Sequence, residues 1–181
     1  MMKVISINVG ERVTVEWKGR EITTGIFKNP VDVSVFLGYE NVEGDSICDK
    51  KVHGGKNRAV YAYGEHHYAY WKGLYPNLVI NYGMLGENLT VSNLEEAEVH
   101  IGDQFKVGEA IIEVTSPREP CLKLGMKFDS RKAMKQMLAT TKCGIYFKVI
   151  KEGEVRAGEL FVRIKKCNEN KTIAEVFKEK I

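Results

Sequence analysis

The sequence predicts a mainly β fold, a closed or nearly closed barrel with few helices. Three observations carry that expectation. Apolar residues alternate in many short runs, the period of a half-buried strand. Glycine-bearing pairs such as Lys18-Gly19, Gly102-Asp103 and Gly108-Glu109 punctuate the runs as turns. Helical spacing is confined to a few short stretches, a balance that suits strands closing on themselves. No repeat, low-complexity segment or linker divides the 181 residues, so the chain reads as one domain, 1–181.

The elements follow in order. Residues 3–9 alternate through Val4, Ile5 and Ile7 as a first strand. Residues 13–17 and 20–24 flank Lys18-Gly19 and read as a hairpin. Pro30 interrupts, and residues 31–38 alternate again. Residues 59–63 make a short strand and 65–74 a helix, with Tyr68, Trp71 and Leu74 spaced by three as a core-facing stripe. Pro76 ends that helix, and a glycine-bounded loop within 83–91 enters the next strand. Glu95, Glu96 and Glu98 read as an exposed acidic face. Strands are expected at 99–101, 104–107 and 110–115, helices at 122–128 and 131–140, and strands at 143–151 and 160–167. A terminal helix at 172–180 has Ile173, Val176 and Phe177 on its apolar side.

Bulk chemistry narrows the classes. A net charge of +3 with no strongly basic run gives no argument for a nucleic-acid polymer, though it suits a small anionic ligand. Residues 1–7 are strand-like, without an apolar core of signal-peptide length. No apolar segment approaches the roughly 18 residues of a membrane span. A cytoplasmic, non-membrane protein is expected. Cys48, Cys121, Cys143 and Cys167 are far apart and form no CxxC pair, which disfavours a zinc ribbon or a thioredoxin-type motif. In a reducing compartment all four are thiols. Cys143 and Cys167 lie at strand ends and read as packing residues.

Three loops concentrate chemistry. The first is His53-Gly54-Gly55-Lys56-Asn57-Arg58, where a glycine pair permits close backbone approach and the cations suit an anion such as phosphate. A glycine turn with solvated cations gives the same pattern. It is neither a Walker A loop nor a dinucleotide fingerprint. The second is Gly86-Glu87-Asn88-Leu89, whose polar pair faces a pocket or simply makes a turn. The third is Pro117-Arg118-Glu119-Pro120-Cys121-Leu122-Lys123-Leu124, a strand-to-helix junction. A thiol at a helix start beside an arginine favours the thiolate, a nucleophile and soft-metal ligand. A buried structural cysteine is the alternative. His66 and His67 are adjacent, point to different faces and make a poor metal pair on their own.

Taken in order, these loops resemble the MOSC family, named after the C-terminal domain of molybdenum cofactor sulfurase, and most closely its stand-alone bacterial members. The aromatic run 61–71, Ile101-Gly102-Asp103 and Arg156-Ala157-Gly158 add to the resemblance, which covers about residues 4–165. It implies a mostly antiparallel β-barrel with peripheral helices. It also implies the molybdenum cofactor, a pterin dithiolene with a phosphate, and at family level a link to pyridoxal phosphate binding. Cys121 matches the family cysteine expected to ligate molybdenum or carry sulfur. The implied cofactor-binding set is His53, Gly54, Gly55, Lys56, Arg58, Asn88, Arg118 and Lys123, with Cys121, Glu87 and His66 as catalytic candidates. The implied activity is reduction of N-hydroxylated bases such as hydroxylaminopurines to amines, with an electron-donor reductase as partner and a homodimer as a candidate assembly. A module without turnover, holding a persulfide on Cys121, is the alternative. Longer bacterial members carry a helical extension after the barrel, where this sequence has room for one short helix.

Overall fold

A computed structural model describes residues 1–46 and 55–181. Its strands are β1 (Val4–Val9), β2 (Val13–Trp17), β3 (Arg20–Thr24), β4 (Asn29–Val31), β5 (Val35–Leu37), β6 (Val60–Gly64), β7 (Leu89–Val91), β8 (Gln104–Val107), β9 (Ala110–Pro117), β10 (Ile145–Lys151), β11 (Gly153–Val155) and β12 (Phe161–Lys165). Its helices are α1 (Tyr68–Leu74), α2 (Leu122–Lys127), α3 (Lys132–Leu138) and α4 (Ile173–Lys178). The mainly β expectation holds. No helix among the described residues is long and apolar enough to cross a membrane.

Eight strands form one sheet in the order β12-β8-β9-β10-β6-β7-β1-β4. Every pairing in it is antiparallel except β6 with β7. A parallel pair needs a long crossover. Here that crossover is 65–88, which carries α1 and then the loop that ends in Glu87 and Asn88. The connection that sets the fold therefore also delivers polar residues to the sheet end. β2 and β3 form a separate hairpin whose turn residues, Lys18 and Gly19, both have positive φ (52° and 77°). That is the backbone twist a two-residue hairpin requires.

The sheet is not closed into a barrel. Among the described residues, its two outer strands are joined only indirectly, through the isolated bridge Lys3↔Leu160. Val4 N–H donates to the Glu159 carbonyl (2.9 Å) and Phe161 N–H to the Met2 carbonyl (3.0 Å). Further along β1 the same flank is taken by β4, paired from Ile7↔Val31 to Val9↔Asn29. β4 contains Pro30, which has no N–H and is tolerated at an edge. The strand expected over 31–38 is thereby split into β4 and β5, with Pro30 inside the first piece.

Other departures have similar causes. Among the described residues, the stretch 99–101 makes only the bridge His100↔Thr172. Gly153–Val155, lying between the strands expected at 143–151 and 160–167, forms a strand of its own and pairs with β5. The expected helix at 65–74 begins as a 3-10 turn, Glu65–His67, and buries Tyr68 and Trp71 while Leu74 stays exposed. Trp71 is wholly buried, and its indole N–H donates to the Tyr63 hydroxyl (2.7 Å), so its polar edge is satisfied within the core. Phe105, Phe147 and Phe161, from β8, β10 and β12, pack with centroids 4.8 to 6.0 Å apart. Burying each such ring contributes about 1.5–3 kcal/mol. α4 is short and starts with a reciprocal capping box between Thr172 and Glu175. Cys143 and Cys167 are buried, as packing residues should be.

Candidate functional site

At the start of β6, where β9 exits and β10 begins, a cleft opens with about 590 Å³ of space, mouth included. Gly25, Lys28, Asp45, Arg58, Tyr61, Gly86, Asn88, Arg118, Cys121, Lys123 and Tyr146 are among its lining residues. All three loops singled out in the sequence reach it. Pro117 ends β9 opposite Ile145, and Arg118 N–H continues the ladder by donating to the Gly144 carbonyl (3.3 Å). Three residues later Cys121, in extended backbone (φ −130°, ψ 172°), is the N-cap of α2. Its carbonyl accepts from Leu124 N–H (2.9 Å), while its thiol makes no capping bond to the helix. The two prolines bracket a short link that leaves Arg118 and the thiol on one cleft.

The cations are held by aromatic faces. Tyr61 and Tyr146 are direct partners across β6 and β10, with rings 5.2 Å apart. The Arg118 guanidinium lies over Tyr61 (5.0 Å) and that of Arg58 over Tyr146 (5.5 Å). Arg118 is only 5% exposed. It donates to the Leu85 carbonyl and, at 3.4 Å, to the Tyr61 hydroxyl. Among the described residues no carboxylate forms an ion pair with it. Burial opposes its charge, but Tyr61, Tyr146 and Cys121 favour it more, and its pKa is raised. Burial pushes the Tyr61 phenol up against the pull of Arg118, which keeps it a hydrogen-bond donor, to the Cys143 carbonyl (2.9 Å). A permanently charged, buried fork without an acid suits an anion.

On the opposite side, Asp45 organises a second cluster. It pairs with Lys28 and accepts from the Gly10 N–H (2.9 Å) and from the Asn88 side-chain amide (2.9 Å). Burial lowers the Lys28 pKa while Asp45 raises it, and burial prevails. Lys127 is lowered for the same first reason, with Lys28 and Arg118 adding repulsion. Gly86 lies beside Arg118 at φ +83°, and an added Cβ would stand 2.9 Å from Ile26 Cγ1. Only glycine fits both that backbone and that gap.

Residues 49–161 match the MOSC domain family. The chain belongs to the MOSC family. It is 41% identical over 155 residues to protein YflK of Bacillus subtilis (strain 168), which covers 86% of this chain and 70% of YflK. It is 36% identical over 144 residues to a protein named "Reductase" from Gibberella moniliformis, a match over 78% of this chain and 26% of that much longer protein. The crystal structure of YiiM from Geobacillus stearothermophilus superposes with a TM-score of 0.81 at 32% identity, over 98% of this chain and 82% of that one. The family is associated with molybdenum cofactor binding.

The MOSC cleft gathers some of the expected residues and leaves others elsewhere. Arg58, Asn88, Arg118, Cys121 and Lys123 line it. His53 and Gly54 lie outside the described residues, as does Cys48. Gly55 (φ +83°) opens the single 3-10 turn Lys56–Arg58, which turns Arg58 inward while Lys56 stays exposed. Thr115 anchors that turn, its hydroxyl donating to the Asn57 carbonyl (2.6 Å). Asn88 was expected to face a pterin edge, but its amide is engaged within the protein. It accepts from Tyr61 N–H (3.2 Å) and donates to Asp45 and to the Asn8 carbonyl (3.5 Å). His66, expected as a proton donor, is not on the cleft. It is exposed and paired with Glu95 (2.8 Å), and burial, then neighbouring His67, pull its pKa down. Glu96, expected on an exposed face, is buried against His67. Lys28, Asp45 and Tyr146 were not singled out by the sequence, and Tyr61 entered only as the start of the aromatic run 61–71. The tyrosines alternate within strands exactly as core residues do, and the ion pair depends on chain contacts that no local pattern encodes.

Glu87 corrects a further expectation. It is fully buried, does not line the cleft, and accepts from the Tyr68 hydroxyl, Gly83 N–H (2.8 Å), Thr90 Oγ1 (2.9 Å) and Leu85 N–H (3.2 Å). It pins the crossover loop rather than delivering a proton to a ligand. Burial raises its pKa above the ordinary 4.5, against the pull of those donors. The unfolded chain therefore releases this proton first, and stability falls as pH rises from 4.5 through the folded value. Glu87→Gln removes that slope. At acidic pH the variant is expected to be less stable by about 1–3 kcal/mol, because its NH2 cannot accept from Leu85 N–H. Urea unfolding from acid to neutral pH should show the gap narrowing; a constant gap would assign the titration elsewhere.

Proposed function

We propose that this cleft binds the molybdenum cofactor and that the protein reduces N-hydroxylated compounds, hydroxylaminopurine bases among them, to amines. The observation that carries the reading is Arg118, a buried guanidinium without a carboxylate partner among the described residues, on the same cleft as Cys121. Its donor set fits the group. Arg118, Arg58 and Lys123 offer positive charge for a phosphate, and the Cys121 sulfur is the soft donor that suits a metal held by dithiolene sulfurs. When bound, the molybdenum centre supplies two-electron oxygen-acceptor chemistry at an N–OH group.

The chain's own residues bind and orient. Tyr61 and Tyr146 hold the guanidinium planes, so few rotamers must be frozen on binding. Asn88 fixes Asp45, which in turn holds the Lys28 ammonium at the cleft wall. The overall change, N-hydroxylamine plus two electrons and two protons to amine and water, requires an external donor, for which a partner reductase is the proposed source. The reductase-named relative supports oxidoreductase chemistry, and the family supports the cofactor.

The test is expression in a host able to make the cofactor. Purified protein is expected to carry molybdenum and pterin together and to reduce a hydroxylaminopurine with reduced viologen. Protein isolated with neither, and inactive after reconstitution, would overturn the reading.

A further inference from the structure

We propose that His66, His67 and Glu95 form a second site, outside the cleft, for one divalent transition-metal ion of the zinc class. One ligand atom from each residue lies within 4.8 Å of the others. The imidazoles of His66 and His67 have centroids 3.9 Å apart, and His66 Nε2 is 2.8 Å from Glu95 Oε1.

The second, independent observation is His67 itself. Its ring is buried, at 3% exposure, and Nδ1 has no hydrogen-bond partner. Nε2 lies 2.7 Å from Glu96 Oε2. Glu96 Oε1 accepts from Gly144 N–H (2.8 Å), so this carboxylate is fixed in place. A carboxylate only accepts, so Nε2 carries a proton, and in the neutral ring Nδ1 keeps a lone pair. A buried acceptor without a donor costs about 1–3 kcal/mol. A metal ion at Nδ1 removes that cost, and a carboxylate on the far nitrogen is the usual support of a metal-ligating histidine. Gly64 makes room: a Cβ there would stand 2.7 Å from the Leu94 carbonyl oxygen, 2.9 Å from His66 Cε1 and 3.1 Å from His67 Cδ2.

Two nitrogens and a carboxylate, with no thiolate, suit zinc, copper or nickel more than magnesium or calcium. Metal–ligand distances of about 2.0–2.2 Å set tetrahedral ligand atoms roughly 3.4 Å apart, so His66 Nε2 and Glu95 Oε1, at 2.8 Å, part slightly as the ion enters between them. His66 and Glu95, with side chains 38% and 47% exposed, are paired at the surface, where opening the pair gives the ion an entry path and a position for water. The site does not depend on the cofactor reading. It connects to the cleft through Gly144, whose N–H serves Glu96 and whose carbonyl accepts from Arg118.

The experiment is calorimetric titration of the chelator-stripped full chain with Zn²⁺, with Co²⁺ as an optical probe. One Zn²⁺ per chain is expected. His66→Gln and Glu95→Gln should each weaken binding tenfold or more, and Glu96→Gln by about 10–100-fold. Cys121→Ser should bind zinc as the wild type does. The cobalt spectrum should lack thiolate-to-metal charge transfer. Because His67→Ala alters the core, the exposed variants decide the matter. Absence of zinc binding, wild-type affinity in the His66→Gln/Glu95→Gln double variant, or a thiolate band abolished by Cys121→Ser would each overturn the proposal.

Discussion

Cys121→Ser is expected to fold as well as the wild type and to lose both turnover and firmly bound molybdenum. The folding half follows from the position. Cys121 is half-buried at an N-cap, outside the hydrophobic core cluster, and its thiol makes no capping bond. Serine is a favoured N-cap residue, so α2 gains up to about 1 kcal/mol rather than losing it. The functional half follows from the donor atom. A serine hydroxyl is harder than sulfur and stays protonated at neutral pH, so it replaces a soft ligand poorly. Losing an outer-shell partner costs a metal site about 10–100-fold, and losing a direct ligand should cost more. The measurements are thermal melting, metal content, and viologen-linked reduction of a hydroxylaminopurine. Full activity in Cys121→Ser would end the proposed role. An extra sulfur on wild-type Cys121 by mass spectrometry, with no molybdenum, would favour the persulfide carrier instead.

Why Cys121 was legible and other residues were not is a matter of range. The thiol, Arg118 and two prolines stand within five residues, so their chemistry is written locally. Strand period and glycine turns are local too, and the mainly β architecture followed from them. Barrel closure is not local. It depends on which strand takes each flank of β1, and β4 takes the part that β12 would need. Glu87 and Asn88 looked like pocket residues because polar side chains in a glycine-bounded loop usually face solvent or ligand. The crossover from β6 to β7 turns Glu87 inward, where it receives four donors, while Asn88 does line the cleft, with its amide spanning Tyr61 and Asp45. His66 illustrates the converse. Its residue type suited proton transfer, but the 3-10 turn after β6 carries it to Glu95 and away from the cleft lining.

Arg118→Met separates function from stability at the cleft floor. Arginine in this position is poorly explained as a stabilising residue. Burial opposes its charge, and what offsets that is the neighbouring Tyr61, Tyr146 and Cys121 rather than an acid. Replacing a buried charge by an apolar chain of similar length is often neutral or stabilising, by about 1–4 kcal/mol. Against that stands the Leu85 carbonyl, which loses its Arg118 donor at a cost of about 1–3 kcal/mol. The two effects are of similar size, so the melting midpoint should stay within about 5 °C of wild type. Binding has no such compensation. Each charge-assisted hydrogen bond to an anion contributes about 1.5–3 kcal/mol. A guanidinium fork makes two, so cofactor affinity should fall by about 100-fold or more. Arg118→Lys keeps the charge but loses the planar fork and its fit to the Tyr61 face, and should fall between the two. Molybdenum and pterin content after identical expression, beside a melting curve for each variant, reads both effects. A variant that melts far below wild type while retaining cofactor would make Arg118 structural. A variant that melts like wild type and comes out empty would make it the anion receptor around which the three loops converge.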